Sequence, residues 1–77
     1  MNQKRRDTLR RAREMLRAAH GLVEAVEDQE LDAMQNLPEN LQGSERYDKM
    51  EDAVSNIQDA EFHIESALDK LAEAAAR

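Results

Sequence analysis

The residues best suited to chemistry in this sequence are His20, Glu24 and Glu61. His20 and Glu24 are one helical turn apart, and an antiparallel pair of helices would bring Glu61 opposite His20. An imidazole and two carboxylates could in principle bind a divalent metal ion, but the paired Glu-x-x-His repeats of di-iron bundles do not occur. The pattern favours a simple contact between His20 and Glu61, so no metal site, cofactor or catalytic residue is predicted.

A second group consists of four arginines near the N-terminus. Their spacing places them within about 60 degrees of helical arc, away from the apolar positions, and predicts a solvent-facing basic strip of Arg6, Arg10, Arg13 and Arg17. Such a strip can bind phosphate backbones. However, the net charge is −6 and no aromatic residues interleave with the arginines, so a solvated face or a protein contact is preferred.

Phe62 is the best candidate for a binding anchor. It occupies an outward position of the second helical pattern, where Glu65 and Asp69 are neighbours. A single exposed aromatic residue often has no role. An aromatic side chain surrounded by acids also suits a docking site for a partner protein, so both interpretations of Phe62, Glu65 and Asp69 stay open.

The composition indicates long exposed helices in one domain. Of 77 residues, 36% are charged and 3% are aromatic. The sequence has no cysteine, which fits a reducing compartment. Its N-terminus, Met-Asn-Gln-Lys-Arg-Arg, has no apolar run of the kind a signal peptide needs, and no segment suits a bilayer, so a cytoplasmic location is expected.

Sevenfold apolar spacing predicts that two helices pack as an antiparallel coiled-coil hairpin. In helix one, about residues 3–36, column a contains Leu9, Leu16, Val23, Glu30 and Leu37, and column d contains Ala12, Ala19, Val26 and Ala33. In helix two, about residues 44–76, column a contains Met50, Ile57, Ile64 and Leu71, and column d contains Ala53, Ala60, Ala67 and Ala74. Pairing the a column of each helix with the d column of the other sets small residues against large ones.

A turn over residues 37–43 connects the two helices. Pro38 removes a backbone donor and should end helix one near Asn36. Gly43 lets the chain reverse, and Ser44 is the predicted N-cap of helix two. Asn2 or Asp7 could cap helix one, and Arg77 suits the C-terminal dipole of helix two.

Apolar side chains beside the predicted contact favour self-association. Met15 and Leu22 lie on one face of the hairpin, and a candidate oligomer face on the other consists of Met34, Tyr47, Val54 and Leu68. Two hairpins that cover one of these faces would form a homodimeric four-helix bundle. Antiparallel pairing would also bring each basic open end beside the acidic turn end of the other copy.

One segment resembles small helical proteins encoded by bacterial phages and mobile elements. The residues concerned are Asn36-Leu37-Pro38-Glu39-Asn40-Leu41-Gln42-Gly43-Ser44-Glu45-Arg46, followed by Lys49-Met50-Glu51-Asp52-Ala53. The resemblance covers about half of the chain and implies a bacterial or phage cytoplasmic setting without a mechanism. The sequence is therefore interpreted as a non-enzymatic protein-binding module or regulator. The alternative is a protein that binds nucleic acid, or imitates it with its acidic turn half to inhibit host defence.

Overall fold

Two long helices account for most of the chain. A computed structural model describes residues 1–76, in which helix α1 spans Gln3–Gln35 and helix α2 spans Glu45–Ala75. A short 3-10 turn, Glu39–Leu41, lies between them, and the described residues contain no strand. The predicted all-α hairpin is confirmed. The position assigned to Arg77 lies outside the described residues.

The hairpin is long and thin. Its principal extents are 60 × 14 × 12 Å, and its radius of gyration is 17.5 Å. A compact domain of this length would have a radius of gyration of about 11.5 Å. Because each helix touches only one other helix, Met34 at 8% exposure and Val54 at 7% are the buried hydrophobic residues of the described chain. Neither described helix combines the length and apolar character that a bilayer crossing would require.

Each helix begins with a side-chain cap. The Asn2 side chain accepts a hydrogen bond from the Arg5 N–H at 2.9 Å, so Asn2, rather than Asp7, caps α1. The predicted cap of α2 is confirmed, because the Ser44 hydroxyl accepts from the Tyr47 N–H at 3.3 Å. These bonds satisfy backbone donors that have no partner within the helix.

The turn satisfies the backbone carbonyls at the end of α1. Gln42 Nε2 donates to the carbonyl oxygens of Met34 at 3.3 Å and Leu37 at 3.1 Å. The chain then reverses at Gly43, whose φ of 76° lies in the left-handed region that glycine adopts without strain. The turn therefore holds the end of α1 while it directs the chain into α2.

The contact between the helices follows a different pair of columns from the one predicted. Toward the open end, column d is half-buried as predicted, at Ala12, Ala19, Ala67 and Ala74. Toward the turn it is exposed, at Val26, Ala33, Ala53 and Ala60. Positions one residue later join column a in the contact, and on α2 these include the larger apolar side chains of Val54 and Leu68. The resulting contact line alternates steps of three and four residues, through Leu9, Arg13, Leu16, His20, Val23, Glu27, Glu30 and Met34 of α1 and Tyr47, Met50, Val54, Ile57, Glu61, Ile64, Leu68 and Leu71 of α2.

The observed contact line contradicts the predicted oligomer face. Met34 and Val54 are buried between the two helices, and Tyr47 and Leu68 are half-buried on the same contact line. The four side chains are covered within one hairpin, so their assignment to a free face for a second copy is wrong. Met15 and Leu22 remain exposed, as the sequence predicted.

Substitutions at two valines distinguish the observed contact line from the predicted one. Val54→Ala should cost about 2 kcal/mol of unfolding free energy because it removes buried methyl groups. Val26→Ala should cost less than about 0.5 kcal/mol, since Val26 is 49% exposed. Chemical denaturation of dilute protein measures both values, and a larger loss for Val26→Ala would restore column d to the contact.

Candidate interaction surfaces

A group of polar side chains, here called the polar cluster, lies across the middle of the hairpin and consists of His20, Glu24, Glu27, Glu61 and Glu65. His20 Nδ1 is 2.6 Å from Glu24 Oε1, and His20 Nε2 is 3.1 Å from Glu65 Oε1 on the other helix. The His20 side chain is only 19% exposed. The predicted contact between His20 and a glutamate of helix two therefore forms with Glu65 instead of Glu61.

Glu61 is directed toward other acids. Burial raises the pKa of Glu61, and a hydrogen bond with Glu27 and the negative charges of Glu27 and Glu24 raise it further. Gln58 Nε2 donates to Glu27 Oε2 at 2.8 Å, which fixes the Glu27 carboxyl from the second helix. Glu61 Oε1 is buried and has no hydrogen-bond partner within the described part of the chain.

His20 responds to the same acids in the opposite sense. Desolvation alone would lower the pKa of His20, but the hydrogen bond to Glu65 and the charge of Glu24 outweigh it, so the pKa is raised above 6.5. The protonated imidazole is thus favoured in the folded hairpin. Residues 1–76 include no group of three or more His, Cys, Asp or Glu side chains with a geometry that could hold a metal ion.

The basic strip is divided by the fold. Arg10 and Arg17 are exposed, whereas Arg6 and Arg13 are half-buried beside α2. Arg6 Nε donates to the Ala75 carbonyl oxygen at 3.1 Å, where the C-terminal end of α2 carries partial negative charge. Arg13 Nε is buried with no hydrogen-bond partner in the described residues. The expected solvent-facing row of four arginines is therefore wrong, because the apolar stems of two of them pack against the other helix.

Phe62 lies on the outer surface of α2 and is 63% exposed. Its ring makes an edge contact with His63, with ring centroids 5.9 Å apart. Asp69 is exposed, but the Glu65 carboxylate is engaged with His20. Of the three residues assigned to a partner site, Phe62 and Asp69 are exposed on α2, whereas Glu65 also joins α2 to α1 through His20.

Sequence reasoning missed Glu27, Gln58 and Gln42 as structural contacts. The sevenfold spacing did contain a signal for Glu27. His20, Glu27 and Met34 are seven residues apart, and each follows a column-a residue by four positions. Nothing in the residue types marked Gln42 as a cap for α1, because glutamine has no strong preference for that position.

Comparisons with protein-family models, with curated proteins and with solved structures found no match for this chain.

The raised pKa of His20 predicts a pH-dependent stability. Its contribution is fully present below pH 6.5 and is lost as the pH rises through the raised pKa. We expect thermal melting followed by circular dichroism to give a higher midpoint at about pH 6 than at about pH 8. His20→Gln should flatten this dependence. An equally steep dependence in His20→Gln would show that other groups cause it.

A second substitution tests the half-buried Glu61. Glu61 is half-buried on the contact line beside Glu27, and its Oε1 atom has no hydrogen-bond partner in the described residues, so Glu61→Leu should raise the melting midpoint by removing a partly desolvated carboxylate from beside another acid. Glu14→Leu makes the same change at an exposed position and should have little effect. A lower midpoint for Glu61→Leu would mean that its bond with Glu27 is worth more than its burial costs.

Proposed function

We propose that this chain is a non-enzymatic protein-binding module that acts through its helical surface. The exposed ring of Phe62 is the observation that carries this proposal. A phenylalanine buried against a partner contributes about 1.5–3 kcal/mol relative to an exposed one. At 63% exposure, most of that contribution is available to a partner.

The charges around Phe62 define the partner. Asp59 and Asp69 are exposed on the same outer side of α2, and Glu65 keeps a side chain that is 60% exposed while it contacts His20. A complementary surface would have an apolar pocket for the ring and basic residues around it. The partner is therefore a protein with a basic rim, and the acids would mainly increase the rate of encounter.

The helix that bears Phe62 is a rigid platform. Helix α2 is 31 residues long, begins at a capped N-terminus and contacts α1 along its length. Presenting a side chain from such a helix limits the conformational entropy lost on binding. This supports docking in which the partner adapts to a preformed surface.

We also propose that the chain self-associates and that it acts in the cytoplasm of a bacterium. Two hairpins are proposed to form a four-helix bundle, because large apolar side chains remain exposed on α1. A cytoplasmic role in a bacterium or an infecting phage follows from the resemblance of the turn, with regulation of a host or phage protein as its purpose.

Phe62→Ala tests the proposed docking site. The variant should keep its melting midpoint, because the ring lies outside the contact between the helices. Binding should weaken about thirtyfold, or on the order of 2 kcal/mol, if Phe62 is a hot spot. Glu14→Ala truncates an exposed side chain of α1 outside both proposed surfaces and serves as the control.

The measurement has two steps. A photoreactive phenylalanine analogue at position 62 identifies the protein captured from a bacterial lysate, and titration of that purified protein then compares the variants. Asp69→Lys should slow association, and it is preferred to a change at Glu65 because Asp69 makes no contact with His20. Equal affinity of Phe62→Ala and the unchanged protein would remove Phe62 from the site. A loss of more than about 2 kcal/mol of stability would instead place the ring in a core.

A further inference from the structure

One side of the hairpin combines exposed apolar side chains from both helices. On α1, Met15 is 73% exposed, Leu22 is 71% exposed and Val26 is 49% exposed. On α2, Ala53 and Ala60 are exposed. This surface is called the uncovered face.

The two halves of the uncovered face lie on the same side for a geometrical reason. Val26 precedes Glu27 of the contact line by one residue, and Ala60 precedes Glu61 in the same way. One residue is about 100 degrees of helical arc. Because the two helices are antiparallel, the residue just before a contact-line residue points toward the same side of the hairpin on both helices. The larger side chains of α1 therefore adjoin the small alanines of α2 on one continuous surface.

We propose that a second copy of this chain binds the uncovered face in an antiparallel arrangement. Helix α1 packs against α1 of the other copy, and α2 packs against α2, so the two turns lie at opposite ends. This inference deepens the self-association in the proposed function by naming the face and the orientation. It replaces the contact through Met34, Tyr47, Val54 and Leu68, which the hairpin uses internally.

The exposed area supports a second copy as the occupant. The chain exposes 5823 Å², whereas a compact monomer of 8.8 kDa exposes about 4,800 Å². The excess is about 1,000 Å², and a stable complex covers about 800 Å² on each partner. A second hairpin of the same length can cover this strip along the whole molecule.

The side-chain sizes fit a twofold axis near the middle of the hairpin. Ala60 is the central residue of α2, which spans Glu45–Ala75. An axis there brings Ala60 against its own copy, and the absence of a larger side chain allows the two helices to approach closely. His20 lies opposite Glu65, and Glu27 lies opposite Gln58. The same axis therefore meets α1 near residues 24 and 25, and it sets Leu22 of one copy beside Val26 of the other.

The charges select the antiparallel orientation. Residues 1–17 contain seven basic and two acidic residues, whereas residues 18–59 contain two basic and eleven acidic residues. A parallel arrangement would place two basic open ends together and two acidic turn ends together. The antiparallel arrangement sets unlike charges beside each other, which lowers the electrostatic energy at moderate salt.

A single engineered cysteine tests face and orientation together, because the natural chain has none. Under mild oxidation, Ala60→Cys should form a covalent dimer almost completely, since the axis brings the two positions together. Ser66→Cys is the matched control, because Ser66 is exposed on the same helix but away from the uncovered face. Ala60→Lys should convert a dimer of about 18 kDa into a monomer in sedimentation, while Ser66→Lys should not.

The other outcomes overturn the inference. Crosslinking through Ser66→Cys but not Ala60→Cys would assign the dimer to another face, and a monomeric mass of the unchanged chain at high micromolar concentration would leave the face to a foreign partner. Ala60→Lys that stays dimeric has the same meaning as the first outcome. Phe62→Ala should leave crosslinking through Ala60→Cys unchanged, so a failure of the docking site and a failure of this dimer are separate results.

Discussion

The single line of contact between α1 and α2 is the constraint on which the other features of the structure depend. A two-helix hairpin has no third element to cover its remaining faces, so each side chain is either on this line or at least partly in water. Among the hydrophobic residues described, only Met34 and Val54 are buried, and both keep a small exposed fraction. Stability must therefore come from many half-buried contacts, from the Asn2 and Ser44 caps and from the high helix propensity of the sequence.

Polar and charged residues on the contact line lower the stability of the helix pair and also fix its register. Arg13, His20, Glu27 and Glu61 occupy places where a coiled coil usually carries apolar side chains. The hydrogen bonds between His20 and Glu65 and between Gln58 and Glu27 join particular residues of the two helices, so a shift in register would break them. Polar contacts of this kind favour one alignment over others at a cost in stability. The pH dependence expected for the hairpin follows from the same arrangement.

The fold was predictable from the sequence because its signals are local. Pro38, Gly43 and Ser44 act through their own backbone and side-chain chemistry, and the helices end within a few residues of the predicted positions. The contact line was not, because columns d and e both flank column a and sequence periodicity cannot choose between small alanines and the mixed set of Val54, Leu68 and Glu61. On α2 the larger Val54 and Leu68 are covered, and Ala53 and Ala60 are exposed.

The two proposed surfaces are compatible because they lie on different sides of α2. Phe62 follows Glu61 of the contact line by one residue, whereas Ala60 precedes it, so the helical rotation separates the two side chains by about 160 degrees of arc. A dimer that covers Ala60 therefore leaves both Phe62 rings in solvent. Two docking sites on one rigid particle would bind a repetitive or dimeric partner more tightly than either site alone, since the second contact forms at high effective concentration. Under these two proposals, one exposed side of the hairpin assembles the particle and the other presents the ring.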